Sequence, residues 1–143
     1  MIRRTFLTLA LAGLPFATTA WAGDRATTLD YTPGLIAERL AAGEVLFVDY
    51  ATDWCTTCKA QERQIGQLRG DNPAYNEHIT FVRVDYDDYG RHEVSTSRNI
   101  PRRSTLIVLS GDEELGRIVA SANGPQIKEL MDKALKAATK GDS

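Results

Sequence analysis

Apolar positions fall into runs of two kinds along the chain. Val45 to Tyr50 (Val-Leu-Phe-Val-Asp-Tyr) is almost continuously apolar and rich in β-formers, which is how a strand covered on both faces reads. Ile79 to Asp85 is a second such run, interrupted only by Arg83. Thr105 to Leu109 is a third, and after the Ser110-Gly111-Asp112 turn a fourth spans Leu115 to Ala120, the last two reading as a hairpin. Helical spacing appears elsewhere. Thr32 as cap, Pro33 in the first turn, then Leu35, Ile36, Leu40 and a closing Gly43 predict a short amphipathic helix. Cys55 to Arg69 has no proline and many helix formers, so a helix is expected up to Gly70. Asp71-Asn72-Pro73 reads as a turn opening one or two more helical turns. Asp87 to Asn99 is taken as helical, with Gly90 and the Ser95-Thr96-Ser97 cluster against it. Gly124-Pro125 opens a last helix with Ile127, Leu130, Met131, Ala134 and Leu135 on one face. The order is helix, strand, helix, strand, helix, strand, strand, helix, which predicts an α/β fold: a mixed central sheet of about four to five strands with helices on both faces.

The first residues stand apart from this pattern. Arg3 and Arg4 precede an apolar block from Phe6 to Ala17, followed by Ala20-Trp21-Ala22, the order of a secretory signal peptide. The block is about twelve residues long, against about 20 for a bilayer span, and Pro15 interrupts it, so no stable membrane anchor is expected. Adjacent arginines followed by Thr5, Phe6 and Leu7 resemble a twin-arginine signal. The expected division is residues 1–22 as leader and 23–143 as one domain, exported to the periplasm. At 143 residues a multidomain enzyme is excluded. The net charge of −2, with Arg3 and Arg4 counted, lacks the basic excess of a nucleic-acid binder. A monomer is expected.

The chemistry gathers at the two cysteines of the chain, Cys55 and Cys58. In an oxidising compartment a lone close pair is either a static bond or one cycled by partners. Exchange needs a thiolate, and a helix N-terminus helps bring a thiol pKa from about 8.5 into the ~3.5–7.5 range. With Cys55 at the first turn and Cys58 on the next, Cys55 would attack and Cys58 would resolve the mixed disulfide. Asp49 lies inside an apolar strand, where a charged acid is costly and its pKa should rise.

Val48-Asp49-Tyr50-Ala51-Thr52-Asp53-Trp54-Cys55-Thr56-Thr57-Cys58-Lys59 resembles the active-site signature of the thioredoxin family, within a likeness running roughly from Thr32 to Ala138. The resemblance implies a thioredoxin-like fold and a redox-active Cys55–Cys58 disulfide serving a protein-disulfide oxidoreductase without a cofactor. It also implies that Asp49 is the buried carboxylate exchanging a proton with Cys58, and that Arg83 stands where thioredoxins carry a lysine. Trp54 is expected on the substrate-binding rim. The family places a cis-proline facing the cysteines. Aligned without gaps, that position falls on Ser104; aligned on the Ile100-Pro101 dipeptide, it falls on Pro101, with three extra residues before the strand. Both stay candidates, the ungapped register being preferred. A cis bond before serine would cost about 2.5–4 kcal/mol, so Ser104 is expected to be trans. Arg102 and Arg103 would then lie near the cysteines. Thr56-Thr57 replaces the family's Gly-Pro and leaves the direction of electron flow open.

Reduction of protein disulfides, fed by a membrane thiol donor, is the leading reading; a disulfide-forming oxidase or isomerase is the alternative. A redox-inert module with a static bond and a metal site are the weaker ones. The pair offers two ligands where closed zinc takes four, and His78 and His92 have no matching spacing, so no metal is expected.

Overall fold

The computed structural model describes residues 27–141. The leader read at residues 1–22, its twin-arginine pattern and the cleavage site lie outside the described residues. Among the described residues, eleven elements follow in order: β1 (Leu29–Asp30), α1 (Leu35–Ala41), β2 (Val45–Ala51), α2 (Thr56–Asp71), α3 (Ala74–His78), β3 (Ile79–Asp85), α4 (Tyr86–Tyr89), α5 (Glu93–Thr96), β4 (Thr105–Ser110), β5 (Glu113–Val119) and α6 (Gly124–Lys140). The five strands form one mixed sheet in the order β1-β3-β2-β4-β5. β2 runs parallel to β3 and antiparallel to β4, so it is hydrogen-bonded along both edges. Every residue of β2 is buried, as its unbroken apolar run predicts.

Alternation along β2 divides the core. Val45 and Phe47 face α2, α3 and α6, packing with Ile65, Tyr75, Ile127, Leu130 and Met131. Leu46, Val48 and Tyr50 face the other side with Ile36, Val94 and Ile100. Asp49 continues the first row, and its register partner Arg83 continues that row on β3. The acid is thereby directed to the side of the sheet that α2 covers.

Several boundaries differ from expectation. β1, absent from the sequence reading, is two residues long and exists through its parallel pairing with Val82 and Arg83. α1 is capped by Gly34 at φ +92 rather than by Thr32, so the helix begins after Pro33 instead of around it. Gly43, at φ +82, closes it as expected, its N–H bonding to Leu40 O. α2 runs through Gly70 to Asp71, one residue past the expected stop. The helix expected over 87–99 is two single turns, each started by a side chain: Asp85 Oδ1 accepts from Asp87 N and His92 Nδ1 from Val94 N. β5 begins at Glu113, two residues before the apolar run that marked it.

Candidate functional site

The loop after β2 carries the chain into α2, and Cys55 is that helix's N-cap. Cys55 Sγ accepts a hydrogen bond from Cys58 N at 3.1 Å, an interaction that a thiolate there would strengthen. One helical turn brings the two Cα atoms to 5.2 Å, and Cys55 and Cys58 form a disulfide. Cys58 is fully buried, whereas Cys55 keeps a sliver of exposed surface. The residue that reaches the surface is thus the one at the helix cap, consistent with Cys55 as attacker and Cys58 as resolver.

Asp49 is buried, and its Oδ1 has no hydrogen-bond partner. Burial pushes its pKa from 3.8 up to about 7, with the nearby Glu62 charge adding to the rise and Arg83 opposing it. The carboxyl borders a cavity of about 440 Å³ lined also by Thr52, Lys59, Glu62 and Arg83. Arg83 is held by carboxylates around it: Asp53 at 2.9 Å, Glu62 at 3.7 Å and Asp85 at 3.9 Å. Its cation is therefore shared among several acids, and Asp49 keeps a raised pKa beside it. Asp53, itself exposed, makes the shortest of these pairs.

Ser104 and Pro101, the two candidates for the position facing the cysteines, are separated by the structure. Ser104 is fully buried with Oγ 3.1 Å from Cys55 Sγ and 3.2 Å from Cys58 Sγ. Pro101 is exposed three residues earlier, so the Ile-Pro dipeptide does not supply the residue touching the sulfurs. No described peptide bond is cis. Ser104 instead takes φ +62, in the left-handed region.

Trp54, next to Cys55 in the chain, has 59% of its surface exposed. Its Nε1 donates to Asp87 Oδ2 at 2.8 Å, and the Arg103 guanidinium lies over its ring, 4.1 Å from the centroid. The indole is pinned on both sides while its outer face stays open. His78 sits at the end of α3 beside Glu77 and His92 at the start of α5, neither among the sulfur contacts.

Sequence reasoning missed two residues. Gln61 is fully buried on α2 and its Nε2 donates to Ser104 O and Ser121 O, tying the loop before β4 to the helix of the cysteines. The spacing of Cys58, Gln61 and Ile65, the buried positions of α2, is the signal that marks it. Asp87 gives no comparable signal, since its bond to Trp54 spans 33 positions in sequence.

The sequence model of the thioredoxin family matches residues 35–133, more than half of the chain. The chain belongs to the thioredoxin family. Thioredoxin H2-1 of Oryza sativa subsp. japonica is 27% identical over 78 residues, covering 54% of this chain and 52% of that protein. Putative thioredoxin-4 of Dictyostelium discoideum is 24% identical over 95 residues, 66% of this chain and 85% of that one. The chain thus spans about half the length of the rice relative. The crystal structure of thioredoxin from Trypanosoma brucei brucei superposes with a TM-score of 0.65 at 18% identity, covering 80% of this chain and 96% of that one, a likeness of fold. In this thioredoxin-family domain the Cys55–Cys58 disulfide is the CxxC pair, and the residue against it is a serine.

Proposed function

We propose that this chain is an exported thiol-disulfide oxidoreductase that reduces disulfides in periplasmic partner proteins. The observation that carries the reading is the disulfide at the N-cap of α2, with an acid whose pKa is raised to about 7 buried near the end of the preceding strand. In the dithiol form, Cys55 thiolate attacks one sulfur of a partner's disulfide. A Cys55–partner bond forms, and the partner's other sulfur leaves as a thiolate that takes up a proton. The Cys58 thiol gives its proton to the Asp49 carboxylate and attacks Cys55 Sγ; the internal disulfide forms, the mixed bond breaks, and the partner's second sulfur leaves as a thiolate that takes up a proton, so the partner is released reduced by two electrons. A dithiol donor in the membrane resets the pair. Export rests on the leader pattern of residues 1–22. Trp54, next to Cys55 in the chain, and Arg103, stacked on its ring and next to Ser104, would receive the partner.

A disulfide-forming oxidase is the second reading, favoured by the Ser104 hydroxyl, which can stabilise a thiolate and with it the reduced form. Equilibration of the purified protein with thiol buffers decides between them. A potential near the ~−270 mV of thioredoxin supports the reductase, whereas one near ~−120 mV overturns it in favour of the oxidase. Cys58→Ser should trap a mixed disulfide with the partner; absence of any adduct would overturn exchange altogether.

A further inference from the structure

Ser104 is held by its backbone from three elements. Its N–H donates to Tyr50 O at 2.8 Å, and its carbonyl accepts from Ala120 N at 2.9 Å and from Gln61 Nε2 at 3.1 Å. These bonds come from β2, from the end of β5 and from α2, and they keep a non-glycine residue at φ +62. The group they leave to act is the hydroxyl, which is buried and within hydrogen-bond distance of both sulfurs. Serine carries one O–H donor that rotates to suit. Proline, which the family resemblance leads one to expect here, carries no donor at all.

We propose that Ser104 is a catalytic residue whose hydroxyl donates to the charged sulfur of the exchange pair, first Cys55 and then Cys58. The role rests on the thiol-disulfide exchange described above. In the disulfide both sulfurs are neutral and accept weakly. After two-electron reduction the negative charge is on Cys55, and a hydrogen bond to an ionised sulfur is roughly twice as strong as a neutral one. When Cys55 attacks, its charge passes to the partner's leaving sulfur. When Cys58 then loses its proton and attacks Cys55 Sγ, the charge is on Cys58, 3.2 Å from the same oxygen. Rotation of one O–H bond follows the charge between the sulfurs, with no movement of the main chain. Cys55 thiolate thereby has two donors, Cys58 N–H and Ser104 O–H, and Cys58 thiolate has the hydroxyl.

The test compares the purified protein with its Ser104→Ala and Ser104→Gly variants, each reduced with dithiothreitol. The Cys55 thiolate is followed against pH by its ultraviolet absorbance and its rate of alkylation. Loss of the hydroxyl should lower the thiolate-to-thiol ratio about tenfold at a given pH, moving the titration midpoint up by about one unit. In thiol buffers above that midpoint, the equilibrium should move up to tenfold toward the disulfide, about 30 mV more negative. Glycine is at home at φ +62, so Ser104→Gly keeps the test open where alanine disturbs folding. In the unsubstituted protein, the Ser104 Cβ resonance should shift with the same midpoint as Cys55. An unmoved thiolate midpoint and potential in folded Ser104→Gly protein, or a Ser104 resonance indifferent to the titration, overturns the proposal. Failure of the unsubstituted protein to reduce insulin overturns the reductase reading instead, and leaves the thiolate titration to judge Ser104 by itself.

Discussion

The sharpest quantitative consequence concerns Asp49→Asn. The folded Asp49 carboxyl has a pKa of about 7 against 3.8 for a solvated one, because burial disfavours its charged form. Between these values the folded protein binds a proton that the unfolded chain has released. Stability from this group is therefore fully present below pH 3.8 and is lost as pH rises through about 7. Three units at 1.36 kcal/mol each make the loss about 4 kcal/mol, a large part of the ~5–15 kcal/mol that holds a domain folded. Asparagine has nearly the same shape and does not titrate. The difference in unfolding free energy, variant minus parent, should be close to zero at pH 3.8, about 2 kcal/mol at pH 5.5 and about 4 kcal/mol at pH 8 and above.

Urea unfolding of both oxidised proteins across this range measures it, with every other titrating group cancelling in the difference. At a slope of about 1–3 kcal/mol/M, the gain at pH 8 moves the midpoint by more than about 1 M. A difference that stays flat with pH would refute the reasoning: the carboxyl would then be solvated through the adjoining cavity and would titrate like a surface acid. The same substitution should slow resolution by Cys58, so the variant would be more stable and less active, as expected when a functional group is held at a cost to the fold.

Arg83→Ala removes the cation that opposes the rise of Asp49, so the pH at which stability falls should move above 7, read from the same urea series; a downward move would contradict the assigned electrostatics. Ser104→Pro should destabilise the oxidised protein by about 3 kcal/mol or more, because proline cannot take φ +62 and lacks the N–H bonded to Tyr50 O. An unchanged melting temperature would show that the loop does not need that bond. Trp54→Ala should change stability by less than about 1 kcal/mol, since the side chain is mostly exposed. It should raise KM for protein disulfides while leaving the rate with dithiothreitol unchanged; equal loss with both would place Trp54 in the chemistry instead of the docking rim.

What was legible in the sequence follows from how far each feature depends on distant residues. β2, β3 and β4 could be read because a strand covered on both faces must be mostly apolar, and theirs are, with Asp49 and Arg83 as the charged interruptions inside them. The cysteine spacing and Asp49 could be read because strand, loop and helix are contiguous in sequence. β1 could not, since two residues carry no periodicity and their pairing is supplied by β3. The segment after β3 reads as one weak helix, yet Asp85 and His92 each start a separate turn, which composition alone does not separate. Pro101 shows the limit best. Its Ile-Pro dipeptide copies the family's local text, but the residue that meets the sulfurs is fixed by the register of β4 against β2, where Thr105 pairs with Tyr50. A backbone turned to φ +62 by bonds from Tyr50, Ala120 and Gln61 has no signature in a serine's neighbours.

These pieces converge on the last three residues of one strand. Asp49 supplies the acid, the carbonyl of Tyr50 holds Ser104, and Ala51 leads into the loop whose Thr52 carbonyl accepts from Cys55 N. A slip of β2 by one residue would turn Asp49 to the opposite face and carry the Tyr50 carbonyl away from Ser104. The site therefore requires a strand whose register cannot drift, and β2, bonded along both edges and buried on both faces, is the one in this sheet best able to meet that need. Asp49 and Ser104 each break a local rule, one as a buried acid whose Oδ1 has no hydrogen-bond partner and the other as a serine in left-handed backbone. Charge burial and backbone strain are tolerated at the end of that strand because the core on either side holds it in place, and the proposed exchange would use them as a proton acceptor and a hydrogen-bond donor.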